Sequence, residues 1–157
     1  MSLSRQIEEY IKRLLEKSSS IEVQRSELAG NFKCVPSQIN YVLSTRFTPT
    51  HGYLVESRRG GGGYLRIVKL SWGKSAGTQI EEIYHNLGIT IEQWQAEGVL
   101  CRLKDEELIT AREYLMLKAI INRDTLQIEL PQRDIIRAKI IQTVLATLSR
   151  NDLEEED

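Results

Sequence analysis

Arg58-Arg59-Gly60-Gly61-Gly62-Gly63-Tyr64 is the stretch of this 157-residue chain that decides how its first half folds. Four consecutive glycines lift the Cβ restraint on the backbone and permit a sharp reversal. Strand patterns lie on either side. Tyr53, Val55 and Ser57 alternate with Leu54, Glu56 and Arg58, and Tyr64, Ile67 and Val68 lie in a run rich in β-formers. The segment therefore reads as the tip of a two-stranded hairpin. Four glycines surrender more conformational entropy on folding than a plain hairpin requires. That excess points to a tip that something else must approach closely.

Upstream of the hairpin the pattern is helical. Ile7, Tyr10, Ile11, Leu14 and Leu15 predict a helix over residues 4–17, ended by Ser18-Ser19-Ser20. Ile21-Glu22-Val23 reads as a minor strand or an extended linker. A second short helix runs from Gln24 to Phe32. Pro36 suits the first turn of a third, reaching about Thr45, and Pro49 and Gly52 close the region. Leu28, Ala29, Phe32, Cys34, Ile39, Val42 and Leu43 supply a shared apolar core, with Ala29 small where two crossed helices would meet. This is a helix-turn-helix pattern. It leaves Ser37, Gln38, Asn40, Tyr41, Ser44 and Thr45 pointing outward, with Arg46 close by. A hairpin directly after it makes a winged helix-turn-helix.

Charge divides the chain. Residues 1–75 carry twelve Lys and Arg against six Asp and Glu, whereas residues 76–157 carry nine against sixteen, within a net charge of -1. A basic half favours a polyanionic partner. The outward side chains suit DNA. Asn and Gln pair with adenine in the major groove, Arg pairs with guanine, and Ser or Thr touch bases or phosphates. Arginines at a wing tip suit a narrow, strongly negative minor groove. The alternative is an adaptor whose basic face meets an acidic protein, and salt-dependent, sequence-selective duplex binding separates the two.

Beyond a Gly- and Ser-rich linker from Ser71 to Gly77, every element reads helical. Ile80, Ile83, Tyr84 and Leu87 share one face ahead of Gly88. Thr90-x-x-Gln93 and Thr110-x-x-Glu113 read as capping boxes. Pro131 starts a long helix through Ile135, Ile136, Ile140, Val144 and Leu148. The expected architecture is mainly α: a winged helix-turn-helix with a two-stranded β-wing over residues 1–74, then a small four-helix bundle over residues 75–157. The second domain is expected to dimerise, with Ile136, Ile140, Val144 and Leu148 as interface or as intradomain core. Its end, Asn151 to Asp157, holds five acids and reads as disordered solvating chain.

Other chemistry is not called for. No apolar run approaches a membrane span, and the N-terminus has no signal-peptide core. Cys34 and Cys101 read as buried thiols of a cytoplasmic protein. His51, His85 and the cysteines lack metal-ligand spacing. Gly73-Lys74-Ser75 lacks the upstream glycine of a phosphate-binding loop, Val68 standing there instead. No nucleophile has an evident base, so no enzyme activity and no cofactor are expected. Trp72 and Trp94 read as packing residues.

Several stretches resemble the CtsR family, repressors of class III stress (heat-shock) genes. They are Arg25-Ser26-Glu27-Leu28-Ala29, Phe32 through Val42, Thr45-Arg46-Phe47-Thr48 and Gly52 through Tyr64. In the second half Leu130-Pro131-Gln132-Arg133-Asp134 and Arg137-Ala138-Lys139 are similar, with Gln132 where many relatives carry Glu. The resemblance implies a homodimer on direct-repeat operators of protease and chaperone genes, released by heat or by phosphorylation of a wing arginine. It implies as partners the protein arginine kinase McsB, its activator McsA and the Clp protease. Arg59 is the residue at the family's key wing position. The residues expected to meet DNA are Arg25, Ser37, Gln38, Asn40, Tyr41, Thr45, Arg46, Arg58, Arg59, Gly60, Gly61, Gly62, Gly63 and Tyr64.

Overall fold

The computed structural model describes residues 2–57, 63–73 and 78–152. They form two compact units, Met1–Lys74 with Ser149–Asp157, and Ser75–Leu148. The architecture is a winged helix-turn-helix and a helical second unit, as the pattern predicts.

In the first unit, α1 (Leu3–Leu15) is capped by the Ser2 hydroxyl, which accepts from the Arg5 N–H at 3.2 Å. Ile7, Ile11 and Leu15 recur every four residues and are buried. α2 (Arg25–Asn31) and α3 (Pro36–Arg46) follow, with Leu28, Ala29, Ile39, Val42 and Leu43 in the same core. Between them Lys33 takes a left-handed backbone (φ 52°), so that the Cys34 N–H reaches back to the Ala29 carbonyl at 2.9 Å. Both cysteines, expected to be buried, are free thiols that are only half-buried.

Of the two readings of Ile21-Glu22-Val23, the strand is the one observed. β1 (Ser20–Gln24), β2 (Tyr53–Ser57) and β3 (Tyr64–Lys69) form an antiparallel sheet in the order β1-β3-β2. The wing is thus two strands of a three-stranded sheet. In register, Ile21, Ile67 and Val55 lie opposite one another, as do Glu22, Arg66 and Glu56. The period-2 alternation sends Ile67 and its neighbours into the core and sets Arg66 between two acids on the other face.

That polar face is where the chain beyond the long C-terminal helix returns, which corrects the solvating reading of Asn151 and Asp152. Leu70 and Arg150 form an antiparallel bridge, and the Ser71 N–H donates to the Ser149 carbonyl at 2.6 Å. Arg150 donates to both carboxylate oxygens of Asp152, at 2.9 and 2.8 Å, and also pairs with Glu56. Asp152 takes a second cation, Arg66, at 3.0 Å. Its side chain is 3% exposed. An isolated buried carboxylate is prohibitive, and two guanidinium groups make this one tolerable. Arg150 holds the Asp152 carboxyl below its usual range despite burial, with Arg66 adding to the effect.

The second unit contains α4 (Thr78–Asn86), α5 (Gln93–Asp105), α6 (Ala111–Ile120) and α7 (Gln132–Leu148). The Thr110–Glu113 capping box forms as expected. The other box is shifted: Glu92 caps, and Gln95 returns the bond, in place of Thr90 and Gln93. Gln93 instead accepts from the Arg123 N–H at 2.9 Å. Ile91, Ala96, Leu100, Leu103, Ile109, Ile121, Ala138, Ile141 and Leu145 build the core. At its edge Arg137 is 2% exposed. It donates to the Ile121 carbonyl (2.8 Å), the Ile91 carbonyl (3.2 Å) and Asp134 (2.5 Å). Trp94, expected to pack, is 69% exposed and donates its indole N–H to Glu92.

α6 has no buried residue and carries one of the unit's exposed apolar surfaces. Leu115, Met116, Ala119 and Ile120 form an exposed stripe. On α7, Ile140, Val144 and Leu148 pack partly against the unit's own core, and Ile136 is half-buried.

The returning segment makes stability depend on acid. Because folding depresses the Asp152 pKa, the unfolded chain binds that proton first as the pH falls. The contribution is full above the ordinary carboxylate range and is lost on acidification through and below it. Asp152→Asn should cost about 2 kcal/mol at neutral pH, less than stripping a fully buried pair because Glu56 is half-exposed. Melting followed from pH 7 to pH 2 should show a shallower acid decline for the variant; parallel curves would exclude the ion pair as the cause.

Candidate nucleic-acid interface

α3 carries the site because its inward face is fixed by the core. Ile39, Val42 and Leu43 are buried, so Ser37, Asn40, Tyr41 and Ser44 fall on one exposed stripe at spacings of three and four. Tyr41 is 53% exposed. The Ser44 and Thr45 hydroxyls both donate to the Tyr41 carbonyl, at 3.2 and 2.6 Å. Thr45 thus turns back on the helix and is half-buried.

Three other expected contacts are engaged within the protein. Gln38 is half-buried and its amide donates to the Ser4 hydroxyl at 2.9 Å, fastening α3 to the start of α1. Arg46 pairs with Glu8 at 3.1 Å. Glu8 also takes Lys12 at 2.7 Å, and the Lys12 hydrogen bond first, then the Arg46 charge, hold its carboxyl below the usual range. Arg25, the first residue of α2, donates from Nε to Asn40 Oδ1 at 2.7 Å and lies 3.4 Å from the Ser57 hydroxyl. Its backbone N–H donates to the Gly63 carbonyl at 3.1 Å.

At the wing, Gly63 has φ 87°, a left-handed conformation that favours glycine. Tyr64 follows it, 42% exposed. Arg58, Arg59, Gly60, Gly61 and Gly62 lie outside the described residues. The described part of the expected site therefore gathers Ser37, Asn40 and Tyr41 on one face, ties Arg25 to both that face and the wing base, and turns Gln38 and Arg46 toward α1. Two exposed residues lie outside the set expected to meet DNA. Ser44 continues the stripe, which its spacing from Tyr41 and Asn40 already signals. Val35, just before α3, is 62% exposed; an apolar side chain there suits a thymine methyl group.

Among the described residues no group of His, Cys, Asp and Glu has the arrangement of a metal site, and no helix is long and apolar enough to cross a membrane.

Comparison with known proteins gives two family matches. The CtsR N-terminal HTH domain matches residues 2–71, and the CtsR C-terminal dimerization domain matches residues 76–146. The transcriptional regulator CtsR of Staphylococcus aureus strain USA300 is 47% identical over 145 residues, which covers 91% of this chain and 94% of that protein. The same protein from strain NCTC 8325 / PS 47 matches equally. Among solved structures, the crystal structure of CtsR in complex with a 26bp DNA duplex is 44% identical, covers 94% of this chain and 99% of its own, and superposes with a TM-score of 0.49.

The two faces of α3 should respond oppositely to truncation. Tyr41→Ala should leave the unfolding free energy within about 0.5 kcal/mol, as at an exposed surface site. Ile39→Ala should cost about 2–5 kcal/mol, as in a packed core. Urea unfolding of both variants checks this, and a large loss at Tyr41 would mean that its ring supports the fold.

Proposed function

The chain belongs to the CtsR family of transcriptional regulators, with a DNA-binding helix-turn-helix domain and a dimerisation domain, and from this we propose that it is a repressor that reads duplex operators as a homodimer. One observation supports this reading above the others: the Ser37, Asn40, Tyr41 and Ser44 stripe is polar, exposed and backed by a rigid core, beside a wing in the basic half of the chain. Such a stripe fits base edges in the major groove, and Ser37 sits at the helix start where phosphates are favoured. Arg58 and Arg59 at the wing supply the cations for the flanking groove. Family resemblance supports direct-repeat operators at protease and chaperone genes, release by heat, and a cytoplasmic setting. It also supports phosphorylation of Arg59 by McsB with McsA, and removal by Clp. Phosphorylation there reverses the local charge and blocks the contact. The run of four glycines in the sequence, residues 60–63, supports release by heat, because a chain without Cβ restraint gains much entropy on leaving an ordered state.

Dimerisation is assigned to the second unit, and within it to α6. Leu115, Met116, Ala119 and Ile120 form an exposed apolar stripe with small Ala119 in its middle, a surface that a second copy buries. Of the two sequence-based readings of Ile136, Ile140, Val144 and Leu148, interface or intradomain core, the partial packing of Ile140, Val144 and Leu148 against the unit's own core supports the second.

Two experiments test this reading. Selection from a random duplex pool should return a repeated motif bound with steep salt dependence. Arg59→Ala should weaken that binding by about 1.5–3 kcal/mol at fixed salt, and wild-type affinity should fall on warming below the temperature of global unfolding. Unselective binding, or an unchanged affinity for the variant, would sink the respective part. In sedimentation equilibrium, Leu115→Lys with Ile120→Lys should give monomers of unchanged helix content. A dimer that survives this pair but dissociates with Ile136→Lys would move the interface to α7.

A further inference from the structure

We propose that Arg25 works through Asn40: it locks the Asn40 amide with its oxygen turned inward, so that Asn40 meets DNA as a hydrogen-bond donor and selects guanine. The inference rests on the DNA-reading function above and goes on to name what one residue of the stripe reads.

The geometry leaves little freedom in the amide's orientation. Arg25 Nε carries a hydrogen and has no acceptor capacity, so the Asn40 atom 2.7 Å away is the carbonyl oxygen. The bond is charge-assisted and short, the strong kind. Arg25 is itself fastened at both ends. Its backbone N–H continues the sheet pairing into the Gly63 carbonyl, one residue beyond the Gln24–Tyr64 pair. Its guanidinium reaches toward the Ser57 hydroxyl at the end of β2. The guanidinium fork therefore spans the wing base and the middle of α3.

Asn40 lies at the centre of the exposed stripe, between Ser37 and Ser44. With Oδ1 committed to Arg25, its Nδ2 takes the outward side and offers two hydrogens. In the major groove guanine shows two adjacent acceptors, N7 and O6, which take both amide hydrogens, whereas thymine shows the single acceptor O4 beside its methyl group and cytosine shows a donor. Adenine shows an acceptor beside a donor, and the usual Asn–adenine pair needs the amide oxygen to accept from that donor. Here that oxygen is turned in toward Arg25, so although it keeps a second lone pair it does not face a base edge. The general expectation that Asn reads adenine is therefore replaced, in this chain, by guanine. Arg25 is a positioning residue for this contact, in place of the phosphate contact its charge suggests.

Selection from a random duplex pool with wild type, Asn40→Ala and Arg25→Lys tests the proposal. Absence of any selected motif in wild type would overturn the DNA-reading function itself. Given a motif, the base pair whose preference disappears in Asn40→Ala should be guanine in wild type. Arg25→Lys keeps the charge but loses the fork, and should reduce preference at that base pair about tenfold while leaving the others. The double variant should bind no worse than Asn40→Ala, and the salt slope should be unchanged. A uniform loss with a salt slope reduced by about one would identify Arg25 as a phosphate contact and overturn the proposal. Adenine at that position would overturn it equally. A second measurement needs no protein variant: 7-deazaguanine at that position removes N7 and should weaken wild-type binding about tenfold, and equal affinity would exclude the contact.

Discussion

β3 is hydrogen-bonded along both edges, and the first unit is organised around that fact. Its pairing with β2 makes the wing, and its pairing with β1 ties the wing to the helix-turn-helix. Gln24, the last residue of β1, is followed directly by Arg25, the first residue of α2. The sheet register therefore sets where α2 begins, which sets where α3 lies across it. Arg66, in the middle of β3, then anchors Asp152 on the polar face. A slip of one residue in this strand would turn Ile67 to the polar side and Arg66 to the core.

Arginine is used in both units as a fork that joins separated parts of the chain. Arg25 bonds a side chain, Arg150 bonds two carboxylates, and Arg137 bonds two backbone carbonyls in the second core. A planar guanidinium with five donors can satisfy several partners from one buried position, which lysine cannot do. This explains why a chain rich in arginine in its basic half presents fewer free cations on α2 and α3 than its composition suggests. Arg46 and Arg25 are both committed internally.

The elements with strong local periodicity were legible in the sequence. α1, α2, α3 and α7 appear within a few residues of their expected bounds, and Ile39 and Val42 point inward as their spacing requires. What remained open depends on partners distant in the chain. Three residues, Ile21-Glu22-Val23, are too few to show alternation, and only the free edge of β3 makes them a strand. Asp152 reads as one acid in an acidic run until Arg66 and Arg150 are brought to it. On α3 periodicity gives the exposed face, but the partners of Gln38, Asn40 and Arg46 come from α1 and α2. Arg137-Ala138-Lys139 stood out as a motif, yet the burial of Arg137 shows only in the packed helices.

The return of Ser149 to Asp152 to the wing sheet has a consequence for how the chain is made. Synthesis is vectorial, and these residues leave the ribosome after all of Ser75–Leu148. The wing unit is therefore closed by chain that emerges only once the helices of the second unit are already translated. The counter-ions of Arg66 and Glu56 are supplied only after the whole sequence of the second unit has been translated. The second unit is thus enclosed in sequence by the first, whose described chain is both begun and ended outside it.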